Sequence, residues 1–149
     1  MKRILLIAAM ISAVAFGNNT KVPDNVSTAF SNKFPGAEDV NWKKEFNKFE
    51  VEFTQKNETI IALFSKDGSW IETATYIDVE DLPAKTIKEI ELYYEKGFIS
   101  SIRKAVDFRK NNFYRVTVET GEAFYFLKVD EEGDIIDTSV RYKSQLAEE

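Results

Sequence analysis

The chain has 149 residues, 20 basic against 25 acidic, a formal net charge of −5, and neither histidine nor cysteine. That composition excludes disulfides, thiolate metal sites and histidine-centred triads. Its sign argues against nucleic acid or an anionic lipid surface as the main partner.

Lys2 and Arg3 precede the apolar run Ile4 to Phe16, and Ala13, Ala15 and Gly17 offer small residues for cleavage, so residues 1–17 are expected to be a signal peptide. The run is shorter than the ~20 residues that span a bilayer, and no stable membrane insertion is expected after cleavage. The remainder is expected in the periplasm or secreted. Pro23 suits a first helical turn, and Val26, Phe30 and Phe34 then recur at helical spacing. Pro35-Gly36 stops that helix.

A first strand begins at Val40-Asn41-Trp42, followed by a turn around Asn47-Lys48. Phe49 to Phe53 alternates apolar and acidic residues, Ile60 to Phe64 is an apolar run, and Asp67-Gly68 turns it back into Trp70 to Tyr76. This is a β-meander, with Asp-Gly as a type I′ hairpin signal. Asp78 to Asp81 forms an acidic joint, after which Leu82-Pro83 repeats Val22-Pro23. A second helix follows, with Ile87, Ile90 and Tyr94 as its stripe and Lys96-Gly97 as its end. A weaker strand from Ile102 to Phe108 precedes a turn at Lys110-Asn111-Asn112. Tyr114 to Val118, Ala123 to Leu127, Glu132-Gly133 and Ile135 to Tyr142 then restate the meander at an offset of roughly 65 residues.

The expected fold is therefore α+β: two tandem repeats, each a helix plus a four-stranded antiparallel meander, with the helices packed on one face of the sheet. The repeats span residues 18–79 and 80–143, and residues 144–149 form a polar tail that frays. With two-residue turns, Phe64 opposes Ile71 and Val129 opposes Ile136. The opposite face then carries Ile61, Leu63, Trp70, Ala74, Tyr76, Phe124 and Phe126, more apolar area than water alone would leave exposed. Burial by the other repeat, a homodimer partner, or a register slip of one residue would each account for the same pattern.

Val22-Pro23, Phe30, Lys33 to Ala37, Val40 to Trp42, Phe49 to Phe53 and Asp67 to Trp70 together resemble the PepSY-like, β-lactamase-inhibitor-like proteins of Bacteroidetes envelopes. The second half departs from that pattern: no Phe-Pro-Gly-Ala follows Tyr94, no tryptophan matches Trp42, and about five residues are inserted before its meander. The resemblance implies an exported protein with helices on an antiparallel sheet. PepSY domains are associated with protease inhibition, and the β-lactamase-inhibitor fold binds an enzyme through the concave face of its sheet.

Glu50 and Glu52, at i and i+2 on one strand face, are the candidate carboxylates for glycoside chemistry, but the solvated polar edge of an amphipathic strand is much the better account of them. Ser65 and Lys66 point to opposite faces and make no dyad. The acids from Asp130 to Asp134 lack the spacing of a calcium loop. Three glycosylation sequons, at Asn18, Asn25 and Asn57, matter only in a eukaryotic secretory route. No catalysis, metal or cofactor is expected. The expected function is a binding or inhibitor-like module that engages a protein or peptide of the cell envelope through Trp70, Tyr76, Ile61, Leu63, Phe124 and Phe126. The alternatives are a small apolar ligand held between sheet and helices, or a structural homodimer.

Overall fold

The structure is a computed structural model and describes residues 20–148. The expected signal peptide lies outside the described residues.

Helix α1 (Asp24–Lys33) starts directly after Pro23, whose φ of −61° is already suited to the turn that follows. The strands β1 (Glu38–Glu45), β2 (Lys48–Gln55), β3 (Glu58–Ser65) and β4 (Trp70–Tyr76) follow without a crossover. A short 3-10 turn, Val79–Asp81, forms at the acidic joint and leads to α2 (Ala84–Tyr93) behind Pro83. The chain then lays down β5 (Phe98–Asp107), β6 (Asn112–Glu119), β7 (Ala123–Val129) and β8 (Ile135–Tyr142). All eight strands join one sheet in chain order, and every pairing is antiparallel. A 3-10 helix, Lys143–Glu148, takes in the described part of the tail from Ser144 that was expected to fray.

Each helix covers its own half of the sheet. Val26 and Phe30 of α1 bury against Phe49, Val51 and Phe53 of β2 and Ala62 and Phe64 of β3. In the second half Ile90 of α2 meets Ile102, Val116, Val118, Leu127 and Val129. Pairings such as Val51 with Ala62, Ala62 with Thr73, Thr73 with Val106 and Ile102 with Val116 carry one face across the whole sheet, and both clusters lie on it. Thr86 sits fully buried one turn before Ile90, a position the stripe of Ile87, Ile90 and Tyr94 did not include.

The Asp67-Gly68 turn differs from the expected type I′. Only Gly68 takes positive φ there, at 89°, and its N–H donates to the Ser65 carbonyl at 3.0 Å. That is a three-residue advance with a glycine bulge, so Phe64 opposes Trp70 in place of Ile71. Gly133, with φ of 91°, builds the same bulge, and Val129 opposes Ile135 in place of Ile136. The positive-φ pair that a type I′ turn needs occurs one hairpin earlier, at Lys56 and Asn57. Both glycine turns also tuck beneath a helix start. A Cβ on Gly68 would lie 3.0 Å from the Asn25 carbonyl oxygen, and one on Gly133 only 2.7 Å from Pro83 Cβ.

After α2 it is Lys96 that adopts the left-handed conformation, at φ 63°, where the first half has Gly36. The inserted residues of the second half lengthen β5 to ten residues against eight for β1. They also widen the following connection to residues 108–111 against 46–47, and that between β6 and β7 to residues 120–122 against 56–57. The edge strand β1 is bulged between Glu38 and Asn41, with Asp39 at φ 52°, which spoils it as a template for further pairing.

Candidate binding face

Side chains alternate across a strand, so the residues between the helix-facing ones project from the other side of the sheet. The pairings bring Glu50 beside Leu63, Leu63 beside Glu72, Ala74 beside Ala105, Tyr76 beside Arg103, Arg103 beside Arg115, and Thr117 beside Phe126. Laid flat, eight strands would separate β1 from β8 by roughly 34 Å. Yet Lys43 and Glu45 of β1 and Ser139 and Arg141 of β8 wall the same cavity of about 330 Å³. The sheet therefore curls around this face and makes it concave.

Ion pairs line the floor. Arg115 donates through Nη2 to Glu72 Oε2 at 2.6 Å and through Nε to Oε1 at 2.5 Å, a bidentate pair around a carboxylate that is only 7% exposed. Burial pulls the Arg115 guanidinium down, but the hydrogen bond and charge of Glu72, with Glu50 and Asp137 beyond it, more than offset that, and its pKa is raised. Arg103 donates to Glu50 Oε2 at 3.1 Å. Tyr76 donates to Glu52 Oε2 at 3.0 Å; burial first, and then this hydrogen bond, raise its pKa. At the β1 wall, burial raises the Glu45 pKa, but its hydrogen bond and ion pair with Lys43 and the charges of Arg141 and Arg103 bring the net direction down.

Of the apolar residues expected on this face all but Trp70 are present, joined by Phe113, and basic side chains lie over several of the rings. Arg103 stands over the Tyr76 ring at 5.6 Å, Lys128 over Phe113 at 4.3 Å, Arg141 over Phe126 at 5.8 Å and Lys143 over Phe124 at 5.1 Å. Ile61 is 3% exposed, Leu63 and Phe124 are half-buried, and Tyr76 and Phe126 remain open at 48% and 39%. Phe113 packs with Ala74 and Ala105 into a small core of its own.

Trp70 is the correction. The bulge at Gly68 moves it to the helix face, where it packs against the α1 cluster, lies 3.8 Å beneath Lys33 Nζ and donates through Nε1 to Thr73 Oγ1 at 2.9 Å. It is not part of the concave face, which keeps Tyr76, Ile61, Leu63, Phe124 and Phe126. Glu50 and Glu52 are engaged by Arg103 and Tyr76. In the Asp130 to Asp134 loop, Asp130 accepts the Asp134 N–H at 2.8 Å and Asp134 pairs with Lys85. The described residues hold no cluster of three or more acids arranged for a metal. The space between α1 and the sheet, the site of the apolar-ligand alternative, is filled by Phe30, Phe34 and Phe53, whose ring centroids lie 4.8–5.7 Å apart.

Several residues of this face went unnoticed in the sequence: Glu72, Arg103, Arg115, Phe113 and above all Phe46. Phe46 sits in the turn between β1 and β2, at the mouth of the cavity, 88% exposed and at φ 51°. Extending the Tyr76 register across β5 and β6 finds the arginines; only the backbone finds Phe46.

Four solved structures bear on the fold. A DUF2874 family protein from Bacteroides uniformis superimposes with a TM-score of 0.61 at 16% identity, covering 80% of this chain and 90% of its own. Another from Bacteroides ovatus gives 0.60 at 18% identity over 80% and 88%. A BLIP-like protein from Bacteroides fragilis gives 0.55 at 16% over 82% and 89%, and a structure described as periplasmic, from Bacteroides eggerthii, gives 0.61 at 14% over 80% and 89%. No curated protein sequence matches the chain. No helix among the described residues is long and apolar enough to cross a membrane. A family model described as "Putative beta-lactamase-inhibitor-like, PepSY-like" matches residues 12–62 and 47–137, two segments that overlap and do not follow the division between the halves. The chain belongs to this PepSY-like, β-lactamase-inhibitor-like family.

Proposed function

We propose that this protein is an exported, non-catalytic binding module that receives a protein or peptide partner of the cell envelope in the concave face of its sheet. The observation that carries this reading is the cavity walled by both edge strands on the face away from the helices. Leu63 and Phe126 supply its apolar contacts, the Glu50–Arg103 and Glu72–Arg115 pairs hold its floor, and Tyr76 lies on the same face beside Arg103, outside the cavity lining. The family's inhibitor-like description and the periplasmic description of the Bacteroides eggerthii structure support the class and the compartment. The shared order of helix and four strands supports a duplicated unit, with residues 18–79 and 80–143 as its copies.

A photo-crosslinking residue at Ser139, inside the cavity, and another at Thr28, on the exposed side of α1, test the reading in cells that make the protein. The expected result is a discrete adduct from position 139 alone. Equal adducts from both positions, or none from 139, overturn it. An adduct of twice the chain mass points to the homodimer instead.

A further inference from the structure

We propose that the occupant of the concave cavity is an acidic segment of the partner, its carboxylate met by Arg141 and Lys48 and an adjoining apolar side chain met by Phe46. This rests on the function proposed above and names the chemistry of the partner.

The first support is charge. The protein as a whole has more acids than bases, 25 against 20. The cavity lining reverses that ratio, with five basic side chains and three acidic ones. Three of the bases are committed: Arg103 to Glu50, Arg115 to Glu72, and Lys43 to Glu45. Arg141 and Lys48 remain, and among the described residues neither has a carboxylate within ion-pair distance. Arg141 lies half-buried over the Phe126 ring, which restricts its guanidinium without using its donors. A planar guanidinium so placed suits a carboxylate, to which it can donate two parallel hydrogen bonds. An excess of two positive charges fits one or two carboxylates and falls short of a phosphate polymer.

The second support is Phe46. A bulky side chain at positive φ is a strained backbone outlier, and such positions cluster at binding sites. Burial does not offset that strain here, because the ring is 88% exposed. Glycine would remove the strain, yet the chain places an aromatic ring at the cavity mouth, where it can close over whatever enters. The volume, about 330 Å³, is at the small end for a ligand pocket and suits one or two side chains of a longer partner.

The test is a nuclear magnetic resonance titration of the mature protein with the capped pentapeptide Gly-Glu-Phe-Glu-Gly and its Gln and Lys counterparts. The Glu peptide is expected to shift the Arg141 Nε–H and Phe46 amide signals, and added salt to weaken it. Arg141→Gln and Phe46→Gly are each expected to reduce affinity about tenfold. Lys88→Gln, on the exposed side of α2, is expected to change nothing. If the Gln or Lys peptide binds the same residues as tightly as the Glu peptide, acid recognition is overturned while the concave face survives as a binding site. If no peptide shifts the face although position 139 still crosslinks, this inference fails and the broader one stands.

Discussion

The two halves follow the same path with different interiors. Under α1 the core is aromatic: Phe30 touches Trp42, Phe53 and Phe64 at centroid distances of 5.3, 5.1 and 6.3 Å. Under α2 Ile90 takes the place of Phe30, Ile102 that of Trp42, Val129 that of Phe64 and Ile135 that of Trp70, and among the described residues the aromatic contact there is Tyr94 with Tyr125 at 4.8 Å. Helix-on-sheet geometry is thus satisfied by rings or by branched aliphatic chains, provided the filled volume is matched locally. What the halves share is the seam where each helix start meets a glycine turn, Asn25 against Gly68 and Pro83 against Gly133.

The comparison can be broken most directly in the cores. Phe64→Ala, at a fully buried ring with aromatic neighbours on two sides, is expected to cost about 4 kcal/mol, and Val129→Ala, its counterpart, about 2 kcal/mol. Urea denaturation of the two variants measures both, and equal losses would mean that the aromatic interior confers no extra stability. The seam comes next. Gly133→Ala adds a Cβ at positive φ and 2.7 Å from Pro83, and should cost about 3 kcal/mol; Gly68→Ala, at 3.0 Å from a carbonyl oxygen, should cost about 2 kcal/mol. A thermal melt that reversed this order would show that the α1 seam is the tighter one.

Thr86 sharpens the contrast, because the first half has Val26 in its place. Its hydroxyl donates to the Gly133 carbonyl at 3.0 Å in a buried setting, so Thr86→Val should lose about 1–2 kcal/mol although the two side chains have nearly the same shape. Full stability of that variant would remove the hydrogen bond from the account. The smallest effect is electrostatic. The Asp67 pKa lies below its ordinary 3.8 because Ser65 and then Ser69 donate to the carboxylate. A folded pKa below the unfolded one adds stability that is fully present above 3.8 and fades as the pH falls through the lowered value. Asp67→Asn should therefore be less stable than the parent at neutral pH, with the gap closing in acid. A gap that persisted in acid would assign the loss to turn geometry.

Much of the architecture was legible because it is written locally. Pro23 and Pro83 mark helix starts, Phe49 to Phe53 alternates as a half-buried strand must, and the glycine turns mark hairpins. The β5 boundary was less clear: Phe98–Asp107 begins four residues before the expected Ile102, because Phe98 to Ser101 lacks clean alternation. The one-residue bulges were not legible, since Asp-Gly serves a two-residue and a bulged turn equally well. That single ambiguity sent Trp70 to the wrong face. The ionic floor was missed for a different reason: Glu72, Arg103 and Arg115 sit on three different strands, and only the pairings of β4 with β5 and of β5 with β6 bring them together. Curvature is a property of the whole sheet, and so is the approach of Arg141 to Glu45.

The strand order has a kinetic consequence. Each strand pairs with the next one made, and within each half the connections between strands are short, so loop-closure entropy stays low there; only the pairing of β4 with β5 must close over α2. A polypeptide emerging amino end first can pair the strands of the α1 half before the α2 half has left the ribosome, which leaves the edge of β4 as a template for β5.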